Sequence, residues 1–128
     1  MKPSTREWVR KAEEDFLAAQ ALARKRKVPL HDAACFHCQQ SAEKYLKARI
    51  DEQGLRIPHT HDLDALLTLL LPAEPLWAAL RVALLRRSDY AVHFRYPGHE
   101  ATAQDVKIAR QDIQTVRKEV RLSLRLPV

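Results

Sequence analysis

Apolar residues recur three or four positions apart along most of this 128-residue chain, and this spacing constrains its fold more than any other feature. It places the apolar residues on one side of a helix, where they can face a common core. Only two glycines occur, and the frequent alanine, leucine, arginine, glutamine and glutamate favour helices. No segment is typical of a strand. The sequence therefore predicts one all-α domain over residues 1–128, an antiparallel up-and-down bundle of four to five helices.

Residues that commonly start or stop helices indicate where five of them lie. Ser4 and Glu7 have the spacing of a capping box at the start of the first helix, which should end in the basic run 24–27. Gly54 is in the usual place to end the second helix. We expect that second helix over about 31–53, a short third helix from Thr60 or Asp62 to Pro72, a fourth from Pro75 to about Phe94, and a fifth over about 102–124.

The apolar stripes of these helices give the predicted core. Its members are Trp8, Ala12, Phe16, Ala19, Ala23, Ala34, Cys35, Cys38, Ala42, Tyr45, Leu46, Ile50, Trp77, Leu80, Leu84, Val106, Ala109, Ile113, Val116 and Val120. Arg87 occupies the next position on the fourth stripe, so we expect it to face an interface or a cleft.

Composition and charge restrict the class of protein. The chain is 46% hydrophobic and 30% charged, as in folded soluble proteins, and no apolar run approaches the roughly 20 residues of a membrane span. A net charge of +6 is compatible with a nucleic-acid or acidic protein partner and requires neither. The N-terminal residues lack a signal-peptide core, and two cysteines do not form a disulfide framework, so we expect a cytoplasmic protein without membrane contact.

Residues 86–98 concentrate arginine, histidine and tyrosine just before a Pro-Gly turn. Five residues separate Arg87 from His93, and six separate Arg86 from His93. Arginine binds phosphate through a fixed fork of donors, and histidine transfers protons near neutral pH. The histidine could accept a 2′-hydroxyl proton or protonate a leaving oxygen, while an arginine stabilises the charge of the transition state. We therefore predict a phosphodiester or nucleotide ligand, with Arg86, Arg87 and His93 as candidate catalytic residues.

Helical geometry leaves open which arginine is the partner of His93. Positions seven apart nearly coincide on a continuous helix, whereas positions six apart diverge by about 120°. Arg86 therefore aligns better with His93, but Arg87 continues the apolar stripe and would face an interface or a cleft.

Arg95, Tyr96 and Lys47 are the candidate phosphate- or nucleotide-binding residues. Arg95 could hold a phosphate at the mouth of a cleft, or it could tie helices together through Glu43 or Asp15. Glu43 and Lys47 are also spaced for an ion pair on the helix surface, which is the simpler interpretation of that pair.

Cys35 and Cys38 have the spacing of a metal-binding pair, but both fall on the core stripe. A zinc site needs two more ligands, and only His59 and His61 are obvious candidates. We therefore expect neither a metal nor a cofactor.

The last helix carries a polar, mostly basic face. Its members are Lys107, Arg110, Gln111, Gln114, Lys118, Arg121 and Arg125. Such a face is usually solvated surface, which we expect here, although beside a cleft it would form an electrostatic track for a phosphate backbone.

Four blocks of the sequence resemble the HEPN domain family. They are Trp8-x3-Ala12-x2-Asp15-x2-Ala18 in the first helix, Phe36-x2-Gln39-Gln40-x-Ala42-Glu43-Lys44-x2-Lys47-Ala48 in the second, Pro58-x-Thr60-His61-Asp62-Leu63 before the third, and Arg95-Tyr96-Pro97. The blocks span residues 8 to 97, and the order of helices and the chain length fit the family. The resemblance implies a helical bundle that usually dimerises and is often encoded beside a small nucleotidyltransferase.

The resemblance also implies alternative functions. Many HEPN proteins are metal-independent RNases with an Arg-x4-6-His motif in a cleft at the dimer interface, and several look like the toxin of a toxin–antitoxin pair. Others lack the motif and serve as binding or assembly modules. We therefore expect a homodimer that cleaves or binds RNA or a nucleotide, or a non-catalytic nucleotide-binding or assembly partner of a minimal nucleotidyltransferase. A self-associating bundle without chemistry is the third possibility. The family's RNases often place a tyrosine two residues after the histidine, whereas here Tyr96 follows His93 by three.

Overall fold

A computed structural model of the chain describes residues 1–86 and 96–128. Its helices are α1 (Pro3–Ala23), α2 (His31–Glu52), α3 (Leu63–Leu70), a 3-10 helix (Pro75–Leu80), α4 (described over 81–86) and α5 (Ala103–Ser123). No strand occurs within these two described ranges. The predicted all-α bundle is therefore confirmed. None of the helices in the described ranges combines the length and the apolar character needed to cross a membrane.

A polar cluster fastens the start of α1 to the end of α2. The hydroxyls of Ser4 and Thr5 donate to one oxygen of Asp51, at 2.6 and 2.8 Å, and the Lys2 ammonium donates to the Asp51 carbonyl oxygen at 2.8 Å. The hydrogen bonds from the two hydroxyls, led by the one from Ser4, and the charge of Lys2 hold the pKa of the Asp51 carboxyl below its ordinary value. The capping box expected at Ser4 is wrong, because α1 already begins at Pro3, which suits a first helical position, and the Ser4 hydroxyl is used by α2.

Contacts at both ends of α2 show that α5 runs in the same direction. At the start of α2, the backbone N–H of Ala101 donates to the Asp32 carboxylate at 2.6 Å. At its end, Arg49 Nε donates to the Ser123 hydroxyl at 2.7 Å. Since α1 runs antiparallel to α2, it also runs antiparallel to α5.

The other helix ends use the capping chemistry that the sequence indicates. Asp62, one of the two predicted alternatives, caps α3 by accepting from the backbone N–H groups of Asp64 and Ala65. Thr102 and Asp105 form a reciprocal capping box at the start of α5. Gly54 follows α2 with φ +79°, a left-handed conformation that glycine adopts without strain.

The predicted apolar stripes form the core. All predicted inward residues of α2 and α5 are buried, as are Trp77, Leu80 and Leu84. On α1 the alanines at 12 and 19 are buried, while Trp8 and Phe16 lie partly buried at the margin. Small side chains let α1 and α2 approach closely, so that the buried Ser41 hydroxyl donates to the Ala12 carbonyl at 2.8 Å.

The fourth predicted helix differs from expectation at its start. Pro75 opens a 3-10 helix, and the chain becomes α-helical only from residue 81. The tighter turn leaves Leu76 89% exposed while Trp77 and Leu80 still reach the core. The predicted continuation of this helix to Phe94 lies outside the described residues.

The Glu13 carboxylate of α1 joins three helices. Arg117 of α5 donates to both of its oxygens, at 2.8 and 2.9 Å, and the Tyr45 hydroxyl of α2 donates to Oε2. Arg121 donates to the Tyr45 oxygen at 3.1 Å and lies 3.8 Å from Glu13. Arg121 is therefore mostly buried, and the expected solvated face of α5 is wrong at this position.

Two pKa values reflect this arrangement. Burial raises the pKa of Glu13, but the hydrogen bonds from Arg117 and Tyr45 and the nearby guanidinium charges outweigh it, and the pKa is lowered. Burial, together with the hydrogen bond to Glu13, raises the pKa of Tyr45 to about 12. The neutral phenol is thus the form that the fold favours.

We expect Tyr45→Phe to flatten the loss of stability at alkaline pH. Because the folded pKa lies above the ordinary value of 10.0, the stabilisation is complete below that pH and is lost as pH rises toward 12. Across this window the wild-type free energy of unfolding should fall faster than that of the variant, by on the order of 1 kcal/mol per pH unit. Urea unfolding followed by circular dichroism at several pH values measures the difference.

Tyr96→Phe is the matched control for this prediction, because the Tyr96 side chain is exposed. The free energy of unfolding of Tyr96→Phe should fall with pH as steeply as that of the wild type. Parallel declines of wild type and Tyr45→Phe would contradict the role given to Tyr45.

Candidate functional site

The candidate site residues fall into two groups. Arg87, His93 and Arg95 lie outside the described residues. Arg86, Tyr96 and Lys47 lie within them, and their surroundings differ markedly.

Arg86 is anchored to the middle of α5. Its Nη2 donates to both oxygens of Asp112, at 3.1 and 3.2 Å. The Asp112 side chain is largely buried, whereas about half of the Arg86 side chain is exposed. The ion pair fixes the end of the described part of α4 against α5. Arg86 is therefore already bound to a carboxylate of its own chain.

Lys47 lies in a buried ion pair. Its Nζ donates to Glu43 Oε2 at 3.0 Å and lies 5.8 Å from the centre of the Trp8 ring. The predicted Glu43–Lys47 pair therefore forms, but its predicted place on the surface is wrong, since both side chains are at least 90% buried. The reason is that this face of α2 is covered by α1, which brings Trp8 over the ammonium.

Glu43 is the centre of a larger cluster. Besides Lys47, its carboxylate accepts from Gln39 Nε2 at 3.3 Å and from His61 Nδ1 at 2.8 Å. We call Gln39, Glu43, Lys47 and His61 the Glu43 cluster. His61 is 75% exposed while Glu43 is 5% exposed, so the imidazole links a buried carboxylate to solvent.

His61 is a residue whose role sequence reasoning missed. It was considered only as a metal ligand or as a neighbour of a helix cap. The hydrogen bond from Nδ1 to Glu43 orients the ring and leaves Nε2 as its second hydrogen-bonding atom. The signal was present, because His61 and Glu43 belong to two of the sequence blocks that carry the family resemblance.

A second carboxylate–histidine contact also joins α1 to α2. Asp15 of α1 accepts from His37 Nδ1 at 2.8 Å and from Lys44 Nζ at 2.5 Å. Cys35 and Cys38 are both buried in the core, as their place on the apolar stripe predicts. Among the residues that the structure describes, no group of three or more histidine, cysteine, aspartate or glutamate side chains is arranged to hold a metal ion.

Tyr96 is the most accessible of the described candidates. Its side chain is 62% exposed, and its backbone carbonyl accepts from the His99 N–H at 3.4 Å. Tyr96 is thus presented to solvent shortly after the segment that contains His93.

Comparisons with known proteins agree with this architecture. The chain is similar in structure to TT1696 from Thermus thermophilus, whose crystal structure matches with a TM-score of 0.83 at 22% sequence identity. That match covers 94% of this chain and 98% of TT1696, and it shows the fold. No curated protein matches the sequence. The family model of the HEPN domain matches residues 5–123, and the chain therefore belongs to the HEPN domain family.

Proposed function

We propose that this chain is an RNA-directed HEPN protein that acts as a metal-independent endoribonuclease, the toxin of a toxin–antitoxin pair. Arg87 and His93 are its catalytic pair. The histidine moves the proton of the attacking or leaving oxygen, and the arginine stabilises the charge that gathers on the phosphate. The five residues between them are within the spacing of the family's Arg-x4-6-His motif.

The observation that carries this proposal is the ion pair of Arg86. Two arginines are spaced as partners for His93, and the structure commits one of them to Asp112. A guanidinium held by a protein carboxylate is less available to a phosphate, because the two anions compete for the same donors. This supports Arg87 as the arginine that faces substrate.

Exposed apolar side chains support a homodimer. Leu76, Val82 and Leu85 are all exposed on the 3-10 helix and α4, directly before Arg86. Three exposed apolar side chains within ten residues of sequence favour an interaction surface in this region. A second copy bound here would bring the ends of the two described α4 segments to the same interface, as the proposed cleft between subunits requires.

A second function is favoured by the exposure of Tyr96. As a non-catalytic partner of a minimal nucleotidyltransferase, the chain would offer a tyrosine hydroxyl as the acceptor of a nucleotidyl group. The hydroxyl oxygen would attack the α-phosphate of a nucleoside triphosphate and lose its proton, with pyrophosphate as the leaving group. Tyr96 is exposed enough to enter a partner's active site.

We expect wild-type protein to cleave RNA in the presence of EDTA and to leave 2′,3′-cyclic phosphate ends. His93→Ala and Arg87→Ala should each lower the cleavage rate by about 100-fold or more, since each removes a group that acts in the transition state. Gel assays on a labelled RNA measure the rates and the end chemistry. His59→Ala is the control, because His59 is exposed and distant in sequence from the motif. Equal cleavage by His93→Ala would contradict the proposal.

We expect Val82→Glu to dissociate the homodimer, because the variant places a carboxylate in an apolar contact. Light scattering should show a dimer for wild type and a monomer for the variant. Leu17→Glu is the matched control, since Leu17 is similarly exposed but lies on α1. A monomeric wild type, or a Val82→Glu variant that is still a dimer, would contradict the assignment of this surface as the dimer interface.

For the second function, we expect a minimal nucleotidyltransferase to be encoded beside this chain and to form a complex with it. With a nucleoside triphosphate, intact-mass spectrometry should show the gain of nucleotidyl groups. Tyr96→Phe should abolish the gain at this site, whereas Tyr45→Phe, which alters a buried tyrosine, should not. An unchanged mass and the absence of a complex would exclude this role.

A further inference from the structure

A polar cavity of about 360 Å³ lies between the end of α1, the start of α2 and the first half of α5. His31 lines it from α2, and Lys107, Arg110, Gln111 and Gln114 line it from α5. The rest of the lining is apolar. Four members of the polar face of α5 that we expected to be solvated thus converge on one concave site.

The cations of this cavity have no carboxylate partner in the described chain. Neither Lys107 nor Arg110 lies within 4.0 Å of an acidic oxygen of residues 1–86 or 96–128. Arg110 donates from Nε to Gln20 Oε1 at 2.8 Å. Its terminal nitrogens therefore remain available to a ligand, in contrast to Arg86, whose guanidinium is bound to Asp112.

A basic loop adds to the positive charge around the cavity. The connection between α1 and α2 starts with Arg24, Lys25, Arg26 and Lys27, all exposed. Ala23 before this run and His31 after it both line the cavity, so the loop lies at its edge. Among the described residues, none of these four cations is in an ion pair. Six basic side chains around one concave site produce a strong local attraction for anions.

The chemistry of the lining matches a nucleotide. Arginine and lysine bind phosphate oxygens through charge-assisted hydrogen bonds. The side-chain amides of Gln111 and Gln114 both donate and accept, as the edges of bases and sugars require. A cavity of this size is within the range of small-ligand sites.

The cavity is separate from the Arg86 ion pair. Asp112 is two residues from Arg110 and five from Lys107, which places it roughly 160° and 140° away around α5. The two sites therefore lie on opposite faces of the same helix.

We propose that this cavity binds a nucleotide phosphate, either in a free nucleotide or in one unit of an RNA strand. The inference rests on the proposed function only for the choice of a nucleotide over other phosphate esters. Lys107 and Arg110 hold the phosphate, the two glutamines contact the attached nucleoside, and the basic loop attracts the ligand.

Binding is tested with the full chain carrying His93→Ala, so that RNA remains intact, in a buffer with EDTA. Fluorescence anisotropy measures the Kd for a labelled single-stranded RNA. Calorimetry measures the Kd for AMP and for ATP. Lys107→Glu should weaken binding by about tenfold or more, because it reverses the charge at the phosphate. Arg110→Gln should weaken binding too, with circular dichroism to check that the fold survives the loss of the contact to Gln20.

Lys118→Glu is the matched control, since it makes the same charge change on the exposed face of α5 outside the cavity. Lys118→Glu should change the Kd for these ligands by less than about twofold. Binding of the mononucleotides with displacement of RNA identifies a free nucleotide as the ligand, and binding of RNA alone identifies the strand. Equal effects of Lys107→Glu and Lys118→Glu, or no binding of any probe, would overturn the proposal.

These results are independent of catalysis. If the wild-type protein cuts no RNA but its binding is weakened by Lys107→Glu and not by Lys118→Glu, the endoribonuclease proposal is contradicted and the cavity proposal is supported. If the wild type cleaves RNA and Lys107→Glu binds the ligands as well as the wild type does, only the cavity proposal is contradicted.

Discussion

The carboxylate of Glu13 holds α1, α2 and α5 in one arrangement, and the remaining sites depend on it. Arg117 donates to both of its oxygens, and Tyr45 of α2 donates to one of them. Nearer the C-terminal end of α1, the hydrogen bond between Gln20 and Arg110 also joins α1 to α5. Arg110 also lines the cavity, which therefore lies next to this hydrogen bond. The same rigid α5 presents Asp112 to Arg86 on its other side.

The sequence blocks that carry the family resemblance are joined to one another in the structure. Asp15 of the first block contacts Lys44 of the second, and Trp8 lies against Lys47. Glu43 of the second block accepts from His61 of the third. Much of the family's sequence pattern therefore consists of residues that hold α1, α2 and the loop before α3 together. They do so through partly buried polar contacts, which are costly to break. This explains why such blocks identify a fold more firmly than a function.

The fold could be predicted from the sequence because burial of apolar side chains follows helical periodicity, and the stripes of α2 and α5 needed no tertiary information. The errors share another cause. Ser4 was assigned to its own helix, but its hydroxyl donates to Asp51, which is distant in the sequence. The Glu43–Lys47 pair was assigned to the surface, but α1 covers it. The Arg110 cavity likewise exists only where three helices meet. Local patterns predict helices, whereas partners across the bundle depend on packing.

The candidate site was harder to predict because spacing alone does not show which arginines already have a carboxylate partner. The structure separates them by their partners, since Arg86 is bound to Asp112 while Arg110 keeps its terminal nitrogens available. An arginine without a carboxylate partner, close to other cations, lowers its electrostatic energy most by binding an anion. The faces of α5 that hold Asp112 and Arg110 are about one helix diameter apart, roughly 10–12 Å. The ion pair between Arg86 and Asp112 and the cavity lined by Arg110 are therefore two separate sites on one helix.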